Sequence, residues 1–276
     1  MENILLDKRF IKDIENQEAQ YWSEYYLCCR NPLTKKLGLN VNIVDGTVCC
    51  SVSKIDVLAF NRAIGIGLNY PVTEDHIKNI IKYYENAGVK RFFIQVSPAA
   101  EPDNYKAILN NMGFKHYNNW AKFYKKLDMK LSGFKSNLII EELKLPETEL
   151  FDNVINKAFE FSGGSEVLFT QTYKRPGWKH YSAKEENKII AAASMFVCGK
   201  YASLAIAGTL PDERGKGAQS ALILRRINDA FDAGCEYIIV ETAEDKPEKP
   251  SASNRNMKKL GFKLAYLRPN FIYEFH

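Results

Sequence analysis

The chemistry most legible in this chain lies at residues 211–220, Pro-Asp-Glu-Arg-Gly-Lys-Gly-Ala-Gln-Ser. They follow a strand-like apolar segment, Tyr201 to Thr209, and open into a helix-like one, Ala221 to Ala233. Two glycines at a strand-to-helix turn let the backbone approach a ligand with its N–H groups turned inward. The helix behind adds unpaired donors and the positive end of its dipole, which makes the turn an anion site. Arg214 and Lys216 place cations at its mouth, and a phosphate or pyrophosphate is the ligand it suits. Two familiar phosphate loops are excluded. A P-loop follows Gly-Lys with Ser or Thr and carries an earlier Gly, but here Gly217 follows Lys216 and Leu210 holds the earlier position. A dinucleotide fingerprint requires a third glycine and a later acid, and Gln219 and Ser220 give neither.

A second candidate is Glu241, which interrupts the apolar run Ile238-Ile239-Val240 and is placed to act as a general base. The competing reading is a strand-end acid paired with a surface Lys or Arg. Further on, Ser251-Ala252-Ser253-Asn254-Arg255-Asn256-Met257 precedes Leu260-Gly261-Phe262, a short helix capped by Ser251 or Ser253. The four histidines, His76, His116, His180 and His276, have no ligand spacing and no Ser or Cys partner motif, so no metal is expected. Of six cysteines, four stand as adjacent pairs, Cys28-Cys29 and Cys49-Cys50, while Cys198 and Cys235 lie in apolar segments. Neighbours on a strand point to opposite faces, which suits neither a disulfide framework nor a zinc site; reduced packing cysteines of a cytoplasmic protein are expected.

The elements that must hold these residues repeat along the chain. Residues 87–98, AGVKRFFIQVSP, resemble 233–244, AGCEYIIVETAE: a helix stop, a polar pair, then an apolar strand. Asn110-Asn111-Met112-Gly113-Phe114-Lys115 likewise matches Lys258-Lys259-Leu260-Gly261-Phe262-Lys263. An aromatic tail follows each, Tyr117 to Tyr124 and Tyr266 to Phe275, and reads as two short antiparallel strands. Two tandem related domains, 1–130 and 137–276, account for this, with a polar junction at residues 128–137. The second begins with a strand, Leu138 to Leu143, and a helix, Glu147 to Phe161, stopped by Ser162-Gly163-Gly164. Strands at 178–184, 188–197 and 201–209 follow, then helix 217–232, strand 236–242, helix 252–259, and strands 262–267 and 270–275.

That order and the loop together resemble the GNAT superfamily of acetyl-CoA-dependent N-acetyltransferases. Its motif A, Arg/Gln-x-x-Gly-x-Gly/Ala after a strand, is met by Arg214 and Gly217, with Gln219 at the last small position. The resemblance implies an α/β (α+β) fold of two tandem GNAT-like domains, each a mixed, mostly antiparallel sheet flanked by helices. It implies coenzyme contacts from the amides of Gly215, Gly217, Ala218, Gln219 and Ser220, charge from Arg214 and Lys216, and a pantetheine arm held at Thr209 and Leu210. The segment from Ser251 to Phe262 looks like motif B, in which Asn254 or Asn256 hydrogen-bonds the pantetheine or the phosphate. A backbone N–H near Leu210 would hold the developing oxyanion. The Tyr that many members use as the acid falls at Met257, which leaves Tyr266 or Tyr273, or an unassisted thiolate.

The first half departs at its own loop. Leu68-Asn69-Tyr70-Pro71-Val72-Thr73-Glu74-Asp75-His76, expected after a strand from Asp56 to Gly67, has no paired glycines and puts acids at the helix start. Thr73 or the acids occupy the donors a pyrophosphate needs, and Gly65-Ile66-Gly67 reads as a bulge. Residues 1–130 are therefore expected to keep the fold without the coenzyme.

Composition bounds the partners. A chain of 276 residues that is 46% hydrophobic buries enough for two modest domains. Its apolar stretches are too short to span a membrane, the N-terminus lacks a secretory pattern, and a net charge of +5 is too weak to argue for nucleic acid. The resemblance implies acetyl-CoA and an amine as partners of a monomer or homodimer. A catalytically silent acyl-CoA-binding regulatory module is the alternative.

Overall fold

The computed structural model describes residues 6–28, 32–132, 137–161 and 169–275. In chain order the elements are α1 (Lys8–Leu27), α2 (Pro32–Leu37), β1 (Leu39–Val44), β2 (Thr47–Val52), β3 (Arg62–Ile64), α3 (Glu74–Ala87), β4 (Arg91–Gln95), α4 (Tyr105–Asn111) and β5 (Lys115–Lys126). There follow β6 (Ile139–Glu142), α5 (Thr148–Phe159), β7 (Trp178–Glu185), β8 (Lys188–Cys198), β9 (Tyr201–Thr209), α6 (Ala218–Asp232), β10 (Tyr237–Ala243), α7 (Ala252–Lys259) and β11 (Lys263–Glu274).

The chain forms two compact units, and they are not the two halves of the sequence. Unit 1 is Met1–Ala121 together with Ala265–His276, and unit 2 is Lys122–Leu264. The end of β11, read as the last strand of the second domain, therefore belongs to the first unit, where Asn270–Glu274 pairs antiparallel with β4. The residues Gly133–Ser136 of the junction and Ser162–Gly164 of the helix stop lie outside the described residues.

In unit 1 the strand order is β1-β2-β3-β4-β11-β5. β1–β2, β2–β3 and β4–β11 are antiparallel, and the step from β3 to β4 is parallel. The parallel step is spanned by α3, whose apolar face packs Ile77, Ile80 and Tyr84 onto the sheet. Tyr84 stacks on Phe92 at 3.8 Å between centroids.

The same unit has a charged interior. Glu15 and Glu18 of α1 are 0% and 1% exposed and accept from Arg268 of β11 at 2.8 Å each. The Arg62 guanidinium lies 3.6 Å from Glu18 and sits over the rings of Trp22 and Trp120 at 4.0 and 4.6 Å. From Arg62 the bonds continue to Gln95, then to Asn270, then to Asn118. Buried charges are tolerated only in such paired, hydrogen-bonded sets.

In unit 2 the order is β10-β9-β8-β7-β6, with the end of β5 beside β10. The pairs β6–β7, β7–β8 and β8–β9 are antiparallel and β9–β10 is parallel, spanned by α6. Each unit thus makes one parallel step after an antiparallel meander, as the internal repeat implied. On one sheet face α5 reaches His180 through Phe151 and approaches Gly208 so closely that a Cβ there would lie 2.6 Å from Ala158. On the other, α6 receives a hydrogen bond from Tyr181 at Asp229 and donates from Arg226 to the Ser194 carbonyl.

Several element boundaries differ from expectation. The strand expected over Asp56 to Gly67 is only Arg62–Ile64, after a 3-10 turn at Leu58–Phe60, and Gly65 and Gly67 lie in the turn after it instead of in a bulge. Both aromatic tails are single long strands, β5 and β11. In β11 the Pro269 carbonyl accepts from Val96 N–H, but Pro269 has no N–H to return the bond, and the ladder with β4 begins one residue later at Asn270.

Candidate functional site

In unit 2, β9 and β10 pair over only three residues, Tyr201↔Tyr237, Ala202↔Ile238 and Ser203↔Ile239. Both strands continue, but among the described residues no backbone hydrogen bond joins 204–217 to 240–250. Parallel strands that part in this way leave a wedge lined by backbone. At its mouth stands the start of α6. Gly215 and Gly217 have φ of +87° and +80°, in the left-handed region where a side chain is strained. Gly217 is the N-cap and brings no side-chain acceptor, and the first turn of α6 contains no acid. The amides of Ala218, Gln219 and Ser220 thus have neither a helical partner nor a cap, the condition for binding an anion.

Three neighbouring side chains are placed differently from the sequence reading. Lys216 pairs with Glu185 at 2.5 Å and Glu213 at 2.7 Å, and Glu213 also holds Lys188 at 2.5 Å. Hydrogen bonds from Lys188 and Lys216 hold the Glu213 carboxyl down at about 2, and those to Glu185 and Glu213 push the Lys216 ammonium up to about 12. Lys216 thereby clasps the loop to the β7–β8 turn. Arg214 donates to the carbonyl of Ala158 at 3.3 Å. The Gln219 amide donates to Thr209 Oγ1 at 2.9 Å, which folds it onto the end of β9 and away from the helix start.

The Leu210 N–H donates to the carbonyl of Ile190 at 2.9 Å, so an oxyanion donor near Leu210 has to come from a neighbouring residue. A different donor emerges from the β8–β9 ladder. Its register shifts so that Ala205 and Ile206 face Ser194 alone. A bulge leaves its extra residue without a partner in the ladder, and Ala205 and Ile206 lie beyond the last β9–β10 pair, Ser203↔Ile239. Sequence reasoning missed it because a bulge in an Ala-Ile-Ala-Gly run has no side-chain signature.

On β10, Glu241 lies two residues beyond the last β9 pair and on the same face as Ser203. Its side chain is 10% exposed and stands 3.6 Å from the ammonium of Lys122, itself 2% exposed. The Ser251 hydroxyl caps α7 through Asn254 N–H at 3.2 Å. Asn254 is 3% exposed, donates to the Ala243 carbonyl at 3.4 Å, and leaves its Oδ1 buried without a hydrogen-bond partner. Such an orphaned acceptor beside β10 fits a ligand carrying amide N–H groups. Asn256 is half-buried on the same helix and Met257 is buried. Tyr266 and Tyr273 are used inside unit 1, the first bonding Glu15 and the second packing on Phe92 and Phe114.

The equivalent place in unit 1 is closed. The Glu101 N–H donates to Gly67 O at 2.9 Å and Val72 N–H to Glu101 O at 2.7 Å, so the backbone beyond β4 is bonded to the loop beyond β3. A Cβ on Gly67 would come within 2.9 Å of Ala100 and 3.0 Å of Glu101. The start of α3 is capped by Thr73, which accepts from His76 N–H at 3.1 Å, and Glu74 and Asp75 fill its first turn.

Among the described residues there is no group of three or more His, Cys, Asp or Glu that could hold a metal ion, and no helix long and apolar enough to cross a membrane. Residues 148–262 match the model of the Acetyltransferase (GNAT) family. No curated protein matches the sequence itself. Among solved structures, the chain is similar to a GCN5-related N-acetyltransferase from Kribbella flavida, at 14% identity and TM-score 0.61 over 92% of this chain and 94% of that one. One from Sphaerobacter thermophilus aligns at 12% identity and TM-score 0.59 over 73% and 66%. A tandem GNAT protein from the clavulanic acid biosynthesis pathway aligns at 14% identity and TM-score 0.55 over 83% and 78%. At these identities the likeness is one of fold.

Proposed function

We propose, from the match of residues 148–262 to the GNAT family model, that this chain is an acetyl-CoA-dependent N-acetyltransferase with one coenzyme site per chain, in unit 2. The acceptor is a primary amine of a small molecule or peptide, and it attacks the thioester directly. The observation that carries this reading is the wedge between β9 and β10, which opens at the uncapped amides behind Gly217. Those amides and that of Gly215 hold the pyrophosphate, and the free edge of β9 near Thr209 together with Asn254 holds the pantetheine. As the N–C bond forms and the C–S bond breaks, the N–H freed by the β9 bulge meets charge developing on the carbonyl oxygen. Glu241 takes the proton that the amine loses, and the electron pair of the broken bond leaves on sulfur. Unit 1, whose own wedge is closed and whose helix start is capped, binds no coenzyme and supports the fold.

The test is turnover of acetyl-CoA with a panel of primary amines, read as free thiol, beside calorimetric binding of coenzyme A. Binding and turnover together are expected. Absence of coenzyme binding sinks the reading. Binding without turnover on any amine favours a catalytically silent acyl-CoA-binding regulatory module, the alternative supported by buried Met257 at the place of the usual acid.

A further inference from the structure

Lys122 entered the sequence reading as one more residue of the first half, and the structure puts it in unit 2 beside the wedge. We propose that Lys122 is a positioning residue for Glu241, and that the pair directs this site toward weakly basic amines; this rests on the acetyltransferase reading and on Glu241 as the base. The geometry is that of a charge pair withdrawn from water: 3.6 Å from Nζ to Oε2, with side chains 2% and 10% exposed. Burial makes a facing opposite charge valuable to each group, so the ammonium fixes where the carboxylate points and keeps it from turning away from the free stretch of β10.

The pairing also decides what the carboxylate attracts. An isolated carboxylate at the end of an apolar strand draws in an alkyl ammonium. A carboxylate already matched by a buried ammonium presents a dipole, and a second cation approaching it meets the charge of Lys122. An alkyl amine, with a pKa of about 10.4, arrives almost wholly as the cation at neutral pH. An α-amino group, at about 7.7–8.0, or an arylamine of still lower pKa arrives with a substantial neutral fraction. The neutral nitrogen attacks the carbonyl carbon, N–C forms and C–S breaks. The surplus amine proton passes to Glu241, and the thiolate collects a proton from solvent. Amine and thioester become amide and thiol, with no charge added to the buried pair until the proton moves.

The experiment uses the full chain with acceptors graded in pKa from arylamines to alkylamines, and the variants Lys122→Met, Lys122→Arg, Glu241→Gln and the double Lys122→Met/Glu241→Gln. Wild type is expected to favour the weakly basic acceptors at least about ten-fold in kcat/KM at equal nucleophile size. Glu241→Gln lowers kcat about 100-fold. Lys122→Met lowers it at least about ten-fold without changing KM for acetyl-CoA, and Lys122→Arg restores most of the loss. The double variant, which leaves neither charge of the pair without the other, is no slower than Glu241→Gln alone, with near-native circular dichroism as the check on folding. The proposal is overturned if alkylamines are the faster acceptors, if Lys122→Met turns over like wild type, or if the double variant is slower than Glu241→Gln by a further ten-fold. Coenzyme binding by wild type separates the two layers: without it the acetyltransferase reading falls and takes this proposal with it, whereas binding and turnover with an indifferent Lys122 overturn this proposal alone.

Discussion

The two parallel steps of this protein, β3 to β4 and β9 to β10, are built alike and finished oppositely. In each, a strand turns into a helix that crosses back to a parallel neighbour. In unit 1 the strands are bonded past their ladder through Gly67, Val72 and Glu101, and the helix start is served by Thr73. In unit 2 the strands part after three pairs and the helix starts on bare glycine. The lesson is that a fold of this kind does not by itself bind a ligand; it binds where its backbone polar groups are left for something other than the protein to satisfy.

The largest expected effect lies in the charged interior of unit 1. Arg268→Met removes the cation shared by two buried glutamates, which keep Tyr266 and Arg62 as further neighbours, and is expected to destabilise the protein by about 3–5 kcal/mol in urea unfolding; a loss under about 1 kcal/mol would mean the cluster is not held by charge pairing. Next is the open site. Gly217→Glu puts bulk and like charge where the pyrophosphate is placed, and coenzyme A should bind at least about 100-fold more weakly, about 2.7 kcal/mol by calorimetry. Unchanged affinity would remove the anion site from the helix start.

A third prediction concerns Asp152 of unit 2, which accepts from Thr170 and whose carboxyl burial pushes up to about 7. The folded state then holds a proton that the unfolded chain releases above about 4. Stability is therefore expected to fall as pH rises from about 4 to about 7, on the order of 4 kcal/mol, and Asp152→Asn should flatten that slope. A slope equally steep in the variant places its origin elsewhere. The smallest effect is Thr73→Ala, about 1 kcal/mol from the lost cap, with coenzyme affinity untouched. A change in coenzyme affinity there would erase the distinction between the units.

Much of the contrast between the two helix starts can be read from the chain. Glycines at 215 and 217 and Thr-Glu-Asp at 73–75 each state a local preference, and local preferences survive folding. What escaped is everything decided by a partner distant in sequence. Nothing in Tyr266 to Phe275 says which sheet will receive it, because alternation marks a strand and not its neighbour. Lys122 lies within the aromatic tail Tyr117 to Tyr124, and nothing in that tail says that Glu241 of β10 will stand beside it. The Glu101 backbone that closes the first wedge carries no side-chain mark at all, and neither does the Ile190 carbonyl that takes up the Leu210 N–H.

The membership of Ala265–His276 in unit 1 also has a meaning in time. A ribosome delivers residues 1–121 of that unit well before Ala265–His276, so Arg268 reaches Glu15 and Glu18 only after all of unit 2 has been made. Unit 1 is thus expected to be the last to become protease-resistant although it is the first to be made, and nascent chains stalled before Ala265 should be cut within the first 121 residues. Resistance of that segment in such chains would show that it completes itself without Ala265–His276.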